Sequence, residues 1–79
     1  MAFLTQCIKG GSRDSRPGWL ISFTYEEEIV EFLKRGIPHT EREWRYEEKV
    51  WWVSEIYIDH LKRTFSNFEA LAFLQGKLL

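Results

Sequence analysis

Cysteine is nearly missing from this chain. Cys7 is the only one among 79 residues, so no intrachain disulfide forms and the chain does not read as a stapled secreted domain. Histidine is scarce as well. His39 and His60, with that one thiol, fall short of the roughly four ligands a structural zinc ion needs. Neither His has a Cys or Ser at motif spacing, and there is no G-x-x-x-x-G-K-[ST] loop. No metal, no cofactor and no enzymatic activity are expected. No apolar run approaches the roughly 20 residues of a membrane span. The opening MAFLTQCIKGG lacks the basic start and apolar centre of a secretory signal. A cytoplasmic protein without membrane association is therefore expected. An excess of one charge is lacking too: 11 basic against 12 acidic residues leave a net charge of −1. A sequence-independent nucleic-acid binder is ordinarily more basic, so any phosphate contact must come from a local patch.

Aromatic residues fill the gap. Four Trp, three Tyr and six Phe make up 16% of the chain. Each ring can bury about 150–250 Å². A chain this short buries only about 60% of its unfolded surface, so large rings are what allow residues 1–79 to form a single small domain around one core.

Read in order, Ala2 to Ile8 alternates weakly and suits a short strand. Lys9 to Gly18, KGGSRDSRPG, concentrates Gly, Ser, Asp and Pro and reads as the one substantial loop, basic through Lys9, Arg13 and Arg16. Trp19 to Tyr25 sets Trp19, Ile21, Phe23 and Tyr25 against Leu20, Ser22 and Thr24. This is a period-two strand with one apolar face, able to pair with the first strand across the loop. A helix follows. Thr24 and Glu27 have capping-box spacing, and Glu26, Glu27 and Glu28 complement the helix dipole rather than gather a metal, since successive helical side chains diverge. Ile29, Val30, Phe32 and Leu33 form its apolar stripe, Gly36 is its expected C-cap, and Pro38 forbids continuation.

Ile37 to Val53, IPHTEREWRYEEKVWWV, reads as a tight hairpin around Tyr46-Glu47-Glu48-Lys49. Pairing Arg45 with Val50 sets Trp44 opposite Trp51 and Arg42 opposite Val53, so Trp44, Trp51 and Val53 share one face and are expected in the core. The other face then carries Glu43, Arg45, Val50 and Trp52, and sliding the register by one residue would destroy the Trp match. Two short helices follow, with Ile58, Leu61 and Phe65 on the first. They break near Ser66 and Asn67, where Ser66 and Glu69 have capping-box spacing, and Phe68, Leu71, Ala72 and Phe73 or Leu74 make the second stripe. Gly76 is expected to end the last helix, leaving Leu78 and Leu79 to fray or to meet a partner. The expected fold is α+β: a small three- or four-stranded, mainly antiparallel sheet with two or three helices packed on one face, in the order ββαββαα.

A helix ending in Gly36-Ile37-Pro38, then Trp44, a charged turn closed by Lys49, and Val50-Trp51 with Val53 form a pattern between Glu26 and Val53. It resembles the HARP (HepA-related protein) domain found beside the ATPase core of annealing helicases, and related short bacterial and phage segments. The likeness covers about a third of the chain. Where that family usually has Asp-Pro after its first Trp, this chain has Arg45-Tyr46, and where it has a small polar residue before its Val, this chain has Trp52. The resemblance implies an accessory module that recognises branched or single-to-double-strand DNA.

From the residues, an exposed ring beside guanidinium groups is a base-stacking platform. The expected function is a non-catalytic nucleic-acid-binding module, for single-stranded or branched DNA, using Trp52, Arg45, Arg42 and Lys49 of the hairpin with Lys9, Arg13 and Arg16 of the loop. Burial of Trp52 beneath that loop or the last helix, or a cation–π cap from Arg45, is the alternative. A protein–protein adaptor or homodimerisation module, anchored by exposed aromatics, is the competing function.

Overall fold

Apolar periodicity switches from two to 3.6 and back along the chain, and the elements follow it. The computed structural model describes residues 3–77, with side chains through residue 72. It contains strands β1 (Leu4–Gly11), β2 (Pro17–Phe23), β3 (Arg42–Arg45) and β4 (Val50–Ser54). Helix α1 (Glu27–Gly36) joins β2 to β3, and α2 (Ile58–Thr64) and α3 (Phe68–Lys77) follow β4. The four strands form one antiparallel sheet in the order β1-β2-β4-β3. The α+β architecture is the expected one. Among the described residues no helix is long and apolar enough to cross a membrane.

Register decides what each side of the sheet carries. The β3–β4 hairpin pairs Arg45 with Val50, Trp44 with Trp51 and Arg42 with Val53, as its sequence requires. On β2, Trp19 pairs with Val53 and Ile21 with Trp51. One side therefore presents Cys7, Ile21, Trp51 and Trp44 in a row, and the three helices cover its middle. Leu33 and Ile37, Leu61 and Phe65, and Phe68 close over Leu4, Cys7, Ile21 and Val53 as a single core. Ring contacts tie the layers together: Trp19 meets Phe68 edge-on at 5.2 Å, and Phe23 meets Phe65 at 5.3 Å.

Several local expectations give way. The loop shrinks to residues 12–16, because Gly10 pairs with Gly18 and Gly11 with Pro17, which lengthens the hairpin at the loop's expense. Thr24 does not cap α1: the residue before the first helical turn is Glu26, and no side-chain cap forms. Glu27 and Glu28 still lie in the first turn and Lys34 and Arg35 in the last, where the helix dipole favours them. Gly36 lies inside α1, with no left-handed φ, and Ile37 caps the helix by donating its N–H to the Leu33 carbonyl at 2.9 Å. The reason for a glycine is instead the imidazole of His60, which leaves no room for a β-carbon at that position. The break between α2 and α3 falls where expected, but Asn67 rather than Ser66 precedes α3. Its amide Nδ2 donates to the Leu4 carbonyl at 2.9 Å and its Oδ1 accepts from the Leu4 N–H at 2.8 Å. That pair of bonds ties the last helix to the outer edge of β1. Helix α3 runs through Gly76 to Lys77. Leu78, Leu79 and the side chains of Phe73 and Leu74 lie outside the described residues.

Candidate functional site

The side of the sheet away from the helices carries Leu20, Trp52 and Glu43 in one row and Arg45 with Val50 in the next. Trp52 is not the exposed platform that alternation alone suggests. It is fully buried. Two glycines on neighbouring strands, Gly10 and Gly18, face each other beneath it, and the indole is laid so close over Gly18 that a β-carbon there would strike it. Its Nε1 donates to the Gly10 carbonyl at 3.2 Å. The 12–16 loop closes over the rest, with the Arg16 guanidinium 5.8 Å from the ring centroid.

Ser12 organises that loop. Its hydroxyl oxygen accepts from the N–H groups of Asp14 (3.2 Å) and Arg16 (3.0 Å), while its backbone bonds Arg16 and Ser15. Ser15 takes the left-handed φ of 63° that the reversal demands. The loop is then stitched to the far strand. Arg16 donates to the Thr40 carbonyl at 3.0 Å and pairs with Glu41, and the Arg13 N–H points at the Glu43 carboxylate at 3.2 Å. Arg45 donates to the Gly11 carbonyl at 3.2 Å and lies 3.9 Å from Glu43 and 3.6 Å from Glu48. The Arg16 contact holds Glu41 below the usual carboxylate range, chiefly through their hydrogen bond, and raises Arg16 in return. Arg13, Arg16 and Arg45 thus belong to a strap over Trp52.

The remaining expected residues lie apart from that strap. Lys49 sits in the exposed turn, with φ of 57° and its N–H donating to the Arg45 carbonyl at 2.7 Å. Lys9 pairs with Trp19 on β1, at the opposite edge of the sheet from Arg42. The seven expected residues are spread over both sides and both edges.

A different set does converge. On the helix side, past the point that α2 and α3 cover, an open groove of about 530 Å³ is lined by Tyr25, Val30, Lys34, Arg42, Trp44 and Trp51. Trp44 was expected in the core beside Trp51, yet it is 43% exposed. The reason is topological: β3 is the outermost strand, so a side chain that faces the helices from it finds only α1 nearby. Trp51, one strand further in, is half-buried and supports Trp44 at 5.3 Å between ring centroids, tilted by 49°. Tyr25 is 73% exposed. Arg42 is fixed by its Nε, which donates to the Ile37 carbonyl at 2.9 Å. The groove therefore combines a supported indole, a phenol, an aliphatic wall and two cations.

Sequence reasoning reached Arg42 but missed Trp44, Tyr25 and Lys34 as site residues. The usable signal was strand order, which one chain's pattern does not state. Among the described residues no group of three or more His, Cys, Asp or Glu side chains is placed to hold a metal ion. No family model, curated protein or solved structure matches this chain.

Proposed function

We propose that this domain is a non-catalytic nucleic-acid-binding module that stacks unpaired bases in the groove between α1 and the β3–β4 hairpin. One observation carries the reading: Trp44, 43% exposed and backed by Trp51, lines a single groove with Tyr25, Lys34 and Arg42. Exposed rings offer each base a face, and nearby cations hold the flanking phosphates, which is how sequence-tolerant single-strand sites are built. The likeness of Glu26 to Val53 to the HARP domain supports the same class of ligand, single-stranded or branched DNA. A cytoplasmic setting suits its single buried thiol.

Charge arithmetic limits the affinity. Two lining cations engage at most two phosphates, and at about 0.7 per phosphate for single strands the slope of log K against log salt is about −1.4. Stacking supplies the remainder, at about 1–3 kcal/mol per base.

The test is an NMR titration at low salt with a short single-stranded oligonucleotide and with forked DNA. The indole N–H signals of Trp44 and Trp51 move and that of Trp52 stays. A spectrum unmoved by either ligand at low salt removes the reading. It would leave the protein–protein adaptor, for which the same exposed rings would serve as anchors with little response to salt.

A further inference from the structure

The two edges of the sheet are treated differently. At β1, Asn67 occupies both backbone groups of Leu4, and α3 packs alongside. At β3 no described element lies beyond Arg42–Arg45, and the half-exposed Trp44 stands on that edge. Natural edges are usually defended by like charge or by cover. This one carries Arg42, Glu43 and Arg45, of alternating sign.

We propose that β3 pairs antiparallel with β3 of a second copy about a twofold axis passing through Trp44. A twofold axis perpendicular to the sheet must pass through a residue facing its own copy, so β3 offers four registers. An axis at Arg42, Glu43 or Arg45 sets that charge directly against itself, which is unfavourable in a cross-strand pair. The axis at Trp44 places indole against indole, and it sets Glu43 opposite the partner's Arg45 and Arg45 opposite the partner's Glu43. The intrachain approach of Arg45 and Glu43, at 3.9 Å, then becomes one side of a square of four alternating charges. Only this register is free of like-charge contact at the axis.

The product is a continuous sheet of two copies whose outer edges are both the Asn67-covered β1. On its helix side Trp51 and Trp44 of one copy continue into the partner's Trp44 and Trp51, so each groove receives an indole from the other chain at its rim. Pairing of such short strands buries less than a standard interface, so the expected dimer is weak and reversible.

Sedimentation of the free protein from about 10 µM to about 1 mM tests this without nucleic acid, so its outcome is separate from that of the binding reading. A monomer–dimer equilibrium is expected. Glu43→Arg and Arg45→Glu each weaken it by about 10-fold or more, and the double exchange returns it to within about 3-fold of the parent. Both side chains also bond within their own chain, so Trp44→Lys, at a half-exposed site, supplies a variant that keeps its fold and is expected to be monomeric. A parent that stays monomeric at 1 mM, or a dimer unaffected by Trp44→Lys, overturns the proposal. So does a double exchange no better than the single ones.

Discussion

The indole of Trp52 rests on the α-carbon of Gly18 and donates to the carbonyl of Gly10, so one ring bridges the first hairpin from the side away from the helices. Gly18 makes the space for it, whereas a β-carbon at Gly10 would meet Leu20 instead. Trp52→Ala is expected to cost about 3–5 kcal/mol, a large share of the roughly 0.05–0.15 kcal/mol per residue that such domains have. Gly18→Ala forces a methyl against the ring and the Val53 carbonyl and is expected to cost about 1–3 kcal/mol. Urea denaturation of both variants checks this; a parent-like midpoint for either would show that the ring is not seated there.

Trp44 is expected to behave in the opposite way. Trp44→Ala removes a half-exposed ring, so stability should change by no more than about 1 kcal/mol. Affinity for a single-stranded oligonucleotide should fall by about 5- to 150-fold, equivalent to about 1–3 kcal/mol of stacking. Fluorescence anisotropy at constant salt measures it. Unchanged affinity would move the ligand elsewhere.

His60 gives the domain a pH dependence of known sign. Its ring stacks on Phe32 at 5.3 Å, abuts Gly36, and leaves Nε2 buried without a partner. Burial lowers its pKa from 6.5; Arg63 lowers it further, and a hydrogen bond to the Phe32 backbone opposes them. The unfolded chain then takes up the proton first as pH falls. The contribution is complete above about 6.5 and is lost as pH falls below it. The Arg16–Glu41 pair fails in a separate window, below the ordinary carboxylate value of 4.5, because Glu41 is also depressed. Urea midpoints at pH 7.5 and 5.5 should differ for the parent and converge for His60→Leu. A parent more stable at pH 5.5 would refute the assignment.

Cys7 lies in the core, 6% exposed, and burial pushes its thiol up to about 11. Thiolate is the reactive form, so alkylation at pH 8 should run at least about 100-fold slower in the native protein than in urea. Its rate should rise with denaturant in step with the circular-dichroism transition. Rapid native labelling would mean that the β1 side of the core opens locally.

The register of the β3–β4 hairpin was legible because Trp44 and Trp51 match in only one alignment, and α1 was legible from its charges and apolar stripe. What alternation conveys is which side chains share a face. It does not convey what covers that face. For Trp52 two readings stood side by side, an exposed platform or burial beneath the loop, because a stretch rich in Gly and Ser does not state whether it lies in solvent or folds back. Burial beneath the loop is what the structure has. Ser12 folds that loop into a strap, Gly18 clears a seat for the ring, and Gly10 offers its carbonyl to the indole N–H. Trp44 was read as core because it faces the helices, but its strand lies at the sheet's margin. Sequence neighbours set the direction of each indole; partners distant in sequence set its burial. The site consequently moved to the opposite side of the sheet, with Arg42 the one expected residue that lines it.

The strand order β1-β2-β4-β3 also has a temporal consequence. Two hairpins close on local contacts, whereas β2 meets β4 only after α1 has brought distant segments together. Closing the longer loop costs more chain entropy, so this docking is the natural late step of folding. The seat of Trp52 draws on both hairpins at once and is completed only then. Loosening that ring should therefore accelerate unfolding while leaving the folding rate nearly unchanged. The residue first read as a contact for ligands acts instead as the clasp that keeps the assembled sheet from coming apart.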